Sequence, residues 1–102
     1  MNQLEKEIEA KLRRMVEAHG GLCLKWVCPG RAGVPDRLIL LPFGTILFAE
    51  LKRPKGGTET KLQRWWGEKL RSLGFPAMVI RSEEEIRALE EQIRAWERAV
   101  MK

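Results

Sequence analysis

The sequence predicts an α/β fold, a mixed four-stranded sheet flanked by helices in the order α-β-β-β-α-β-α. Three observations predict it. Amphipathic stretches with apolar residues at helical spacing lie at both ends of the chain. Short β-rich runs bounded by Gly and Pro lie between them. A third amphipathic stretch separates the last of these runs from the first three, so helices and strands mix within one layer arrangement.

The elements follow in chain order. Residues 3–18 carry Ile8, Leu12, Met15 and Val16 on one helical face, and Gly20-Gly21 stops the helix. LCLKWVC, 22–28, reads as a strand and PGRAGVP, 29–35, as a loop with two prolines and two glycines. DRLILLP, 36–42, and TILFAELK, 45–52, are two strands joined at Phe43-Gly44, a connection short enough to make them a hairpin. RPKGGT, 53–58, is a basic, glycine-rich loop. Residues 59–74 form a helix with Leu62, Trp66, Leu70 and Leu73 on its inner stripe, and FPAMVIR, 75–81, is the fourth strand. Ser82 opens the last helix through a capping box with Glu85, and three glutamates sit at its positive end. Its stripe of Ile86, Leu89, Ile93, Trp96 and Val100 buries against the sheet, and the same spacing suits a coiled-coil seam for a second chain.

The 102 residues suit one domain, 1–102, with no repeat or linker, and 44% hydrophobic with 32% charged residues suits a folded soluble protein. No run approaches the ~18 apolar residues of a membrane span. The charged start MNQLEKEIEAKLRR lacks the apolar core of a secretory signal, so a cytoplasmic location in a bacterial or phage-infected cell is expected. Cys23 and Cys28 are five apart in the expected strand and face opposite ways, so they do not pair, and with one histidine no zinc site is legible. The net charge of +5 is uneven: residues 1–81 hold 15 Lys or Arg against 8 Asp or Glu, and the remainder is acidic. The basic excess favours a polyanionic partner such as nucleic acid.

The chemistry concentrates in VPDRLILLPFGTILFAELK, 34–52. Glu50 and Lys52 are two apart and leave one face of the strand, while Leu51 points the other way into apolar packing. A hairpin turning at Phe43-Gly44 pairs residue 50 near residue 37, so Asp36 and Glu50 reach the same end. Charges in apolar surroundings are costly unless compensated. Two carboxylates that hold Mg²⁺, a hard ion preferring oxygen ligands, resolve the cost and make a metal-assisted phosphodiester hydrolase. A neighbouring lysine orients the attacking water or stabilises charge building on phosphorus. A structural ion pair of Lys52 with Glu50 or Asp36 is the plainer alternative.

Gly33-Val34-Pro35-Asp36, followed 14 residues after Asp36 by Glu50-Leu51-Lys52, resembles the PD-(D/E)xK nuclease superfamily. Within it, the leading helix, GGLCLKW, PGRAGVPDRLILLP, AELK and Leu62-Gln63 resemble the VRR-NUC family of small nucleases, over nearly the whole chain. The resemblance implies a restriction-endonuclease-like fold and a Mg²⁺-dependent endonuclease acting on DNA, with Mn²⁺ able to substitute and no organic cofactor. It implies Asp36, Glu50 and the backbone carbonyl of Leu51 as metal ligands, Lys52 as the catalytic lysine and Gln63 as the glutamine supporting the site. It also implies a glutamate on the first helix. Glu5, Glu7 and Glu9 are the candidates; Glu5 falls about 35° from the middle of the inner stripe, Glu7 nearly opposite and Glu9 second, so Glu5 is the choice.

Arg31, Arg53 and Lys55 flank the expected site, and Lys61 and Arg64 extend the patch from the second helix, where phosphate contacts are useful. Trp66 belongs to the inner stripe. Trp65 lies at its edge and is expected to pack in the core or an interface, with stacking on DNA the alternative. His19 is expected at the first helix's C-terminus rather than in catalysis. Small stand-alone members of the resembled family are expected to be homodimers, and paired sites on a two-fold axis suit a four-way junction. A homodimeric Holliday-junction resolvase is therefore the expected function. A nuclease for flap, nicked or plain duplex DNA, a non-catalytic DNA-binding domain and a protein-interaction domain using the last helix are the alternatives.

Overall fold

The computed structural model describes residues 3–101; of the expected 1–102 domain, Met1, Asn2 and Lys102 lie outside the described residues. The elements are α1 (Gln3–Ala18), β1 (Leu22–Lys25), β2 (Arg37–Leu41), a 3-10 turn (Pro42–Gly44), β3 (Thr45–Leu51), α2 (Lys61–Ser72), β4 (Ala77–Ile80) and α3 (Glu83–Val100). The sheet order is β1-β2-β3-β4. The first three strands are antiparallel, and β4 lies parallel to β3 because α2 provides the crossover that returns the chain. This is the mixed sheet flanked by helices that the sequence predicts.

Alternation along the strands builds two apolar faces. Ile39, Leu47, Ala49, Leu51 and Ile80 point to one side, where Ile8, Leu12 and Val16 of α1 and Ile86, Leu89 and Ile93 of α3 cover them. Phe48 and Ala77 point to the other, where Leu70 of α2 meets them with Trp26, Leu38 and Ile46 partly buried around. The stripe of α3 is thus used within the chain as far as Ile93, with Trp96 partly buried, and Val100 beyond it is exposed. The seam available to a second chain shrinks accordingly.

β1 and α2 depart from the bounds read in the sequence. β1 ends at Lys25, not Cys28. Trp26 N–H still donates to the Asp36 carbonyl at 2.8 Å, but Pro29 has no N–H to offer and Arg31 N–H turns back to the Cys28 carbonyl. Cys28 therefore sits in the loop, and both thiols are free. α2 begins later, behind Thr60, and its inner row is Trp66, Gly67 and Leu70 rather than the full stripe. Leu62 is 45% exposed and Leu73 60% exposed. The first turn of α2 overhangs the 29–35 loop, so Leu62 rests on Gly33 instead of the sheet; a Cβ at Gly33 would lie 2.6 Å from Leu62 Cγ, and its φ of +85° independently favours glycine. The capping of α3 also departs in detail. Ser82 Oγ accepts from Glu85 N–H, but the Glu85 carboxylate reaches one residue further upstream, to Arg81 N–H at 2.7 Å.

His19 is not confined to its own helix end. Its Nε2 lies 2.8 Å from Glu90 and its Nδ1 3.1 Å from Glu97, so it ties the end of α1 to α3. The Glu90 hydrogen bond first, then that of Glu97, raises its pKa above 6.5 against the opposing effect of burial. The raised value means the bridge contributes fully below 6.5 and is lost as pH climbs through the folded-state pKa. His19→Gln is expected to destabilise the protein by on the order of 1 kcal/mol below that range and progressively less above it, the small size reflecting partly exposed carboxylates. Urea midpoints of both proteins across the pH range measure the difference; a constant gap would contradict the bridge.

Among the described residues, no helix is long and apolar enough to cross a membrane.

Candidate active site

The β2–β3 register aligns Arg37 with Ala49, and continuing it by one residue sets Asp36 opposite Glu50. The sequence reading, which paired residue 50 near residue 37, was one position off. Asp36 stands just before β2 at the strand ends. Its backbone is held by Trp26 N–H, and its Oδ2 accepts from Leu51 N–H at 2.9 Å. Glu50 is 5% exposed. Burial first, then a hydrogen bond with Asp36 and the Asp36 charge, push its carboxyl up to about 9, and Lys52 opposes them only partly. Two carboxyl groups thus share one small volume, and without a cation the pair holds on to a proton well above the usual carboxylate range.

Lys52 follows β3, with its N–H bonded to the Ile80 carbonyl at 3.1 Å. Its Nζ donates to Gln63 Oε1 at 3.0 Å. The same Oε1 accepts from Thr60 N–H at 2.9 Å, while Thr60 Oγ1 accepts from Gln63 N–H at 3.0 Å. Gln63 is therefore both the third residue of a capping box and the group that holds the lysine. The helix start aims the side chain: satisfying the first turn of α2 fixes where Lys52 can sit. This cap was missed from the sequence, although Thr60-x-x-Gln63 is a legible signature.

Asp36, Glu50, Lys52 and Gln63 are thus brought together on the α2 side of the strand ends. Glu5 approaches from α1, on the Leu51 side. It lines an open pocket of about 270 Å³ with Leu51, Lys52, Arg53, Gly56, Gly57 and Thr58, and its carboxylate lies 3.9 Å from Arg53. Glu9, one turn on, has a different partner: it forms an ion pair with the buried Arg37. Neither that pair nor Arg37 itself was singled out from the sequence. Arg81 donates to the Gly57 carbonyl and so ties the glycine-rich loop to the end of β4. Arg53 lines the same pocket as Glu5, and Lys55, Lys61 and Arg64 are exposed on the loop after β3 and the start of α2. Arg31 leans instead over the ring of Trp66, 6.0 Å from its centroid.

The carboxyl pair fits a divalent cation on chemical grounds. Both groups offer hard oxygen donors, and only a positive charge between them lets Glu50 ionise without the cost that burial and Asp36 now impose. Among the described residues no group of three or more His, Cys, Asp or Glu is arranged to hold a metal ion, so an ion on these two carboxyl groups would keep several water ligands, as Mg²⁺ prefers.

A mixed sheet whose central strand ends bring together two carboxyl groups, a lysine and a helix-borne glutamine is the arrangement of the PD-(D/E)xK class. No family model matches the chain. "Putative nuclease p44" of Acyrthosiphon pisum secondary endosymbiont phage 1 is 39% identical over 83 residues, 81% of this chain and 84% of that protein. A solved structure described as a VRR_NUC domain superposes with a TM-score of 0.82 at 31% identity, covering 88% of this chain and 97% of its own. The chain belongs to the VRR-NUC family.

Proposed function

We propose that the protein is a divalent-cation-dependent endonuclease that hydrolyses phosphodiester bonds in branched DNA and works as a homodimer on four-way junctions. The observation that carries the hydrolase reading is the buried Glu50 carboxyl in hydrogen-bond contact with Asp36, two residues from a lysine held at 3.0 Å by Gln63. A purely structural ion pair needs one carboxylate, and a binding domain needs none.

In this reading Asp36 and Glu50 hold the ion, with the Leu51 carbonyl beside them. When bound, the cation supplies Lewis-acid polarisation of the scissile phosphate and a more acidic water. Asp36 is kept in place by Leu51 N–H, so the acceptor geometry is set before substrate arrives. Lys52 presents its ammonium to the attacking water or to the oxygen on which charge builds, and Gln63 prevents it from swinging away. Glu5 assists from the Leu51 side of the pocket. Arg53, Lys55, Lys61 and Arg64 bind phosphates without reading sequence.

The homodimer is supported by the exposed apolar residues Leu22, Leu24 and Val27 along and beyond the edge strand β1, on ground that α2 leaves open. A two-fold pair of sites matches the near two-fold symmetry of a junction. The test is cleavage of a labelled four-way junction and a matched linear duplex, each with Mg²⁺ and with EDTA. Paired nicks in the junction alone, dependent on Mg²⁺, are expected. Equal cleavage of the duplex would remove the junction preference and keep the nuclease. No cleavage with Mg²⁺ or Mn²⁺ by folded protein would overturn the enzyme.

A further inference from the structure

We infer that the cleft between the 29–33 loop and the first turns of α2 is a nucleobase-stacking site, which seats an unstacked base of the DNA strand being cut against Trp65. The cleft is open, about 370 Å³, and is lined by Arg31, Ala32, Leu62, Trp65 and Trp66. Of the places the sequence allows Trp65, the core is not the one it takes: it is 49% exposed, which leaves an interface or DNA. Trp66 meets it edge-on, 5.2 Å between centroids at 87°, so the ring is braced before any ligand arrives. Trp66 is anchored in turn by its indole N–H to the Ala32 carbonyl at 3.0 Å and by edge contact with Trp26. Exposed indole beside a guanidinium is the chemistry that takes a nucleobase: the base stacks on the ring and the cation meets either its π-face or its phosphate.

Charge and position select the occupant. Arg31 lines the cleft, and Lys61 and Arg64 are exposed at the start of α2 beside Leu62 and Trp65 in the chain, on a protein of net charge +5, which favours a polyanion. The platform is built into the helix that carries Gln63: Gln63 and Trp66, like Leu62 and Trp65, are one turn apart, so α2 serves Lys52 and the cleft at once. A strand lying along the start of α2 meets both. A base within continuous duplex is stacked on its neighbours and cannot enter, whereas one at a branch, flap or single-stranded end can. The cleft therefore favours interrupted DNA over plain duplex. This inference rests on the reading of the chain as a DNA-cleaving enzyme.

The experiment uses the full chain in EDTA, with a short single-stranded oligodeoxynucleotide containing 2-aminopurine and its fully paired duplex as probes. Wild type is expected to quench the single-strand fluorescence on binding. Trp65→Ala is expected to lose that quenching and bind the single strand about 5- to 150-fold more weakly, the loss of one base–aromatic stack, while duplex binding changes little. Trp65→Phe should retain most of the quenching, and circular dichroism confirms that both variants are folded. Unchanged single-strand affinity in Trp65→Ala, or equal losses on both probes, overturns the site. So does dissociation of a dimer with single-strand affinity intact, which would make the cleft a subunit contact. A wild type that quenches the single strand but cleaves no DNA in Mg²⁺ overturns the nuclease reading and supports the stacking site.

Discussion

Lys52→Ala is expected to slow DNA cleavage by about 10²–10³-fold or more while DNA binding remains detectable. The ammonium is one donor among many for binding, since Arg53, Lys55, Lys61 and Arg64 are exposed on the loop and helix start that follow it. In the proposed reaction it is the donor aimed at the centre where charge develops. Its removal leaves the fold intact, because among the described residues its ammonium hydrogen-bonds to Gln63 Oε1, which keeps Thr60 N–H as a partner. Lys52→Arg is not expected to rescue, since a planar guanidinium cannot occupy the position of a point-like ammonium held by one amide oxygen. Asp36→Ala should also abolish cleavage, but it additionally strands Leu51 N–H and so costs stability. The rate of product formation under single-turnover conditions, with binding measured separately in EDTA, checks both. Full activity in Lys52→Ala removes it from the reaction.

Glu50→Gln is expected to do two opposite things: abolish cleavage and stabilise the metal-free protein. Folding lifts the Glu50 pKa from 4.5 to about 9, chiefly through burial and then through Asp36. A raised pKa means that the folded state holds the proton more tightly than the unfolded one. Stability from this group is therefore complete below 4.5 and is lost as pH rises toward 9. Glutamine has the shape of the protonated acid and does not ionise. In EDTA the variant should be more stable than wild type by on the order of 2 kcal/mol near pH 8, with the gap closing in acid, since solvent relaxation moderates the cost of a buried carboxylate. With Mg²⁺ the order should narrow or reverse, because only wild type gains stability from binding the ion. Urea unfolding in EDTA and in Mg²⁺ measures this. A variant less stable than wild type in EDTA at pH 8 would show that the carboxylate is already compensated by other means.

The hairpin was legible because local rules govern it. A tight connection at Phe43-Gly44 and strict alternation place residues 36 and 50 at one end, and only the final register, one residue off, needed the structure. The side chains that hold the ends together were less legible. His19 meets Glu90 and Glu97 across more than 70 residues of chain, and Glu9 meets Arg37 across 28. No pattern within either segment announces such a pairing. Gln63 was reached through resemblance, while the Thr60 cap that explains its orientation went unread. Trp65 and Leu62 show the limit of helical periodicity. A stripe says which residues share a face, but not where the helix overhangs the sheet, and here the first turn of α2 projects beyond the strands onto Gly33. Residues that read as core become the walls of an open cleft.

The central claim is that Asp36 and Glu50 together form a divalent-cation site, and direct metal binding tests it without reference to DNA. The free-ion electron paramagnetic resonance signal of Mn²⁺ is titrated with wild type and with Asp36→Asn, a variant that keeps an oxygen to accept from Leu51 N–H while losing the charge. The account predicts that wild type depletes free Mn²⁺ saturably and that Asp36→Asn does so far more weakly. Equal depletion by the two proteins, or none by wild type, would contradict it.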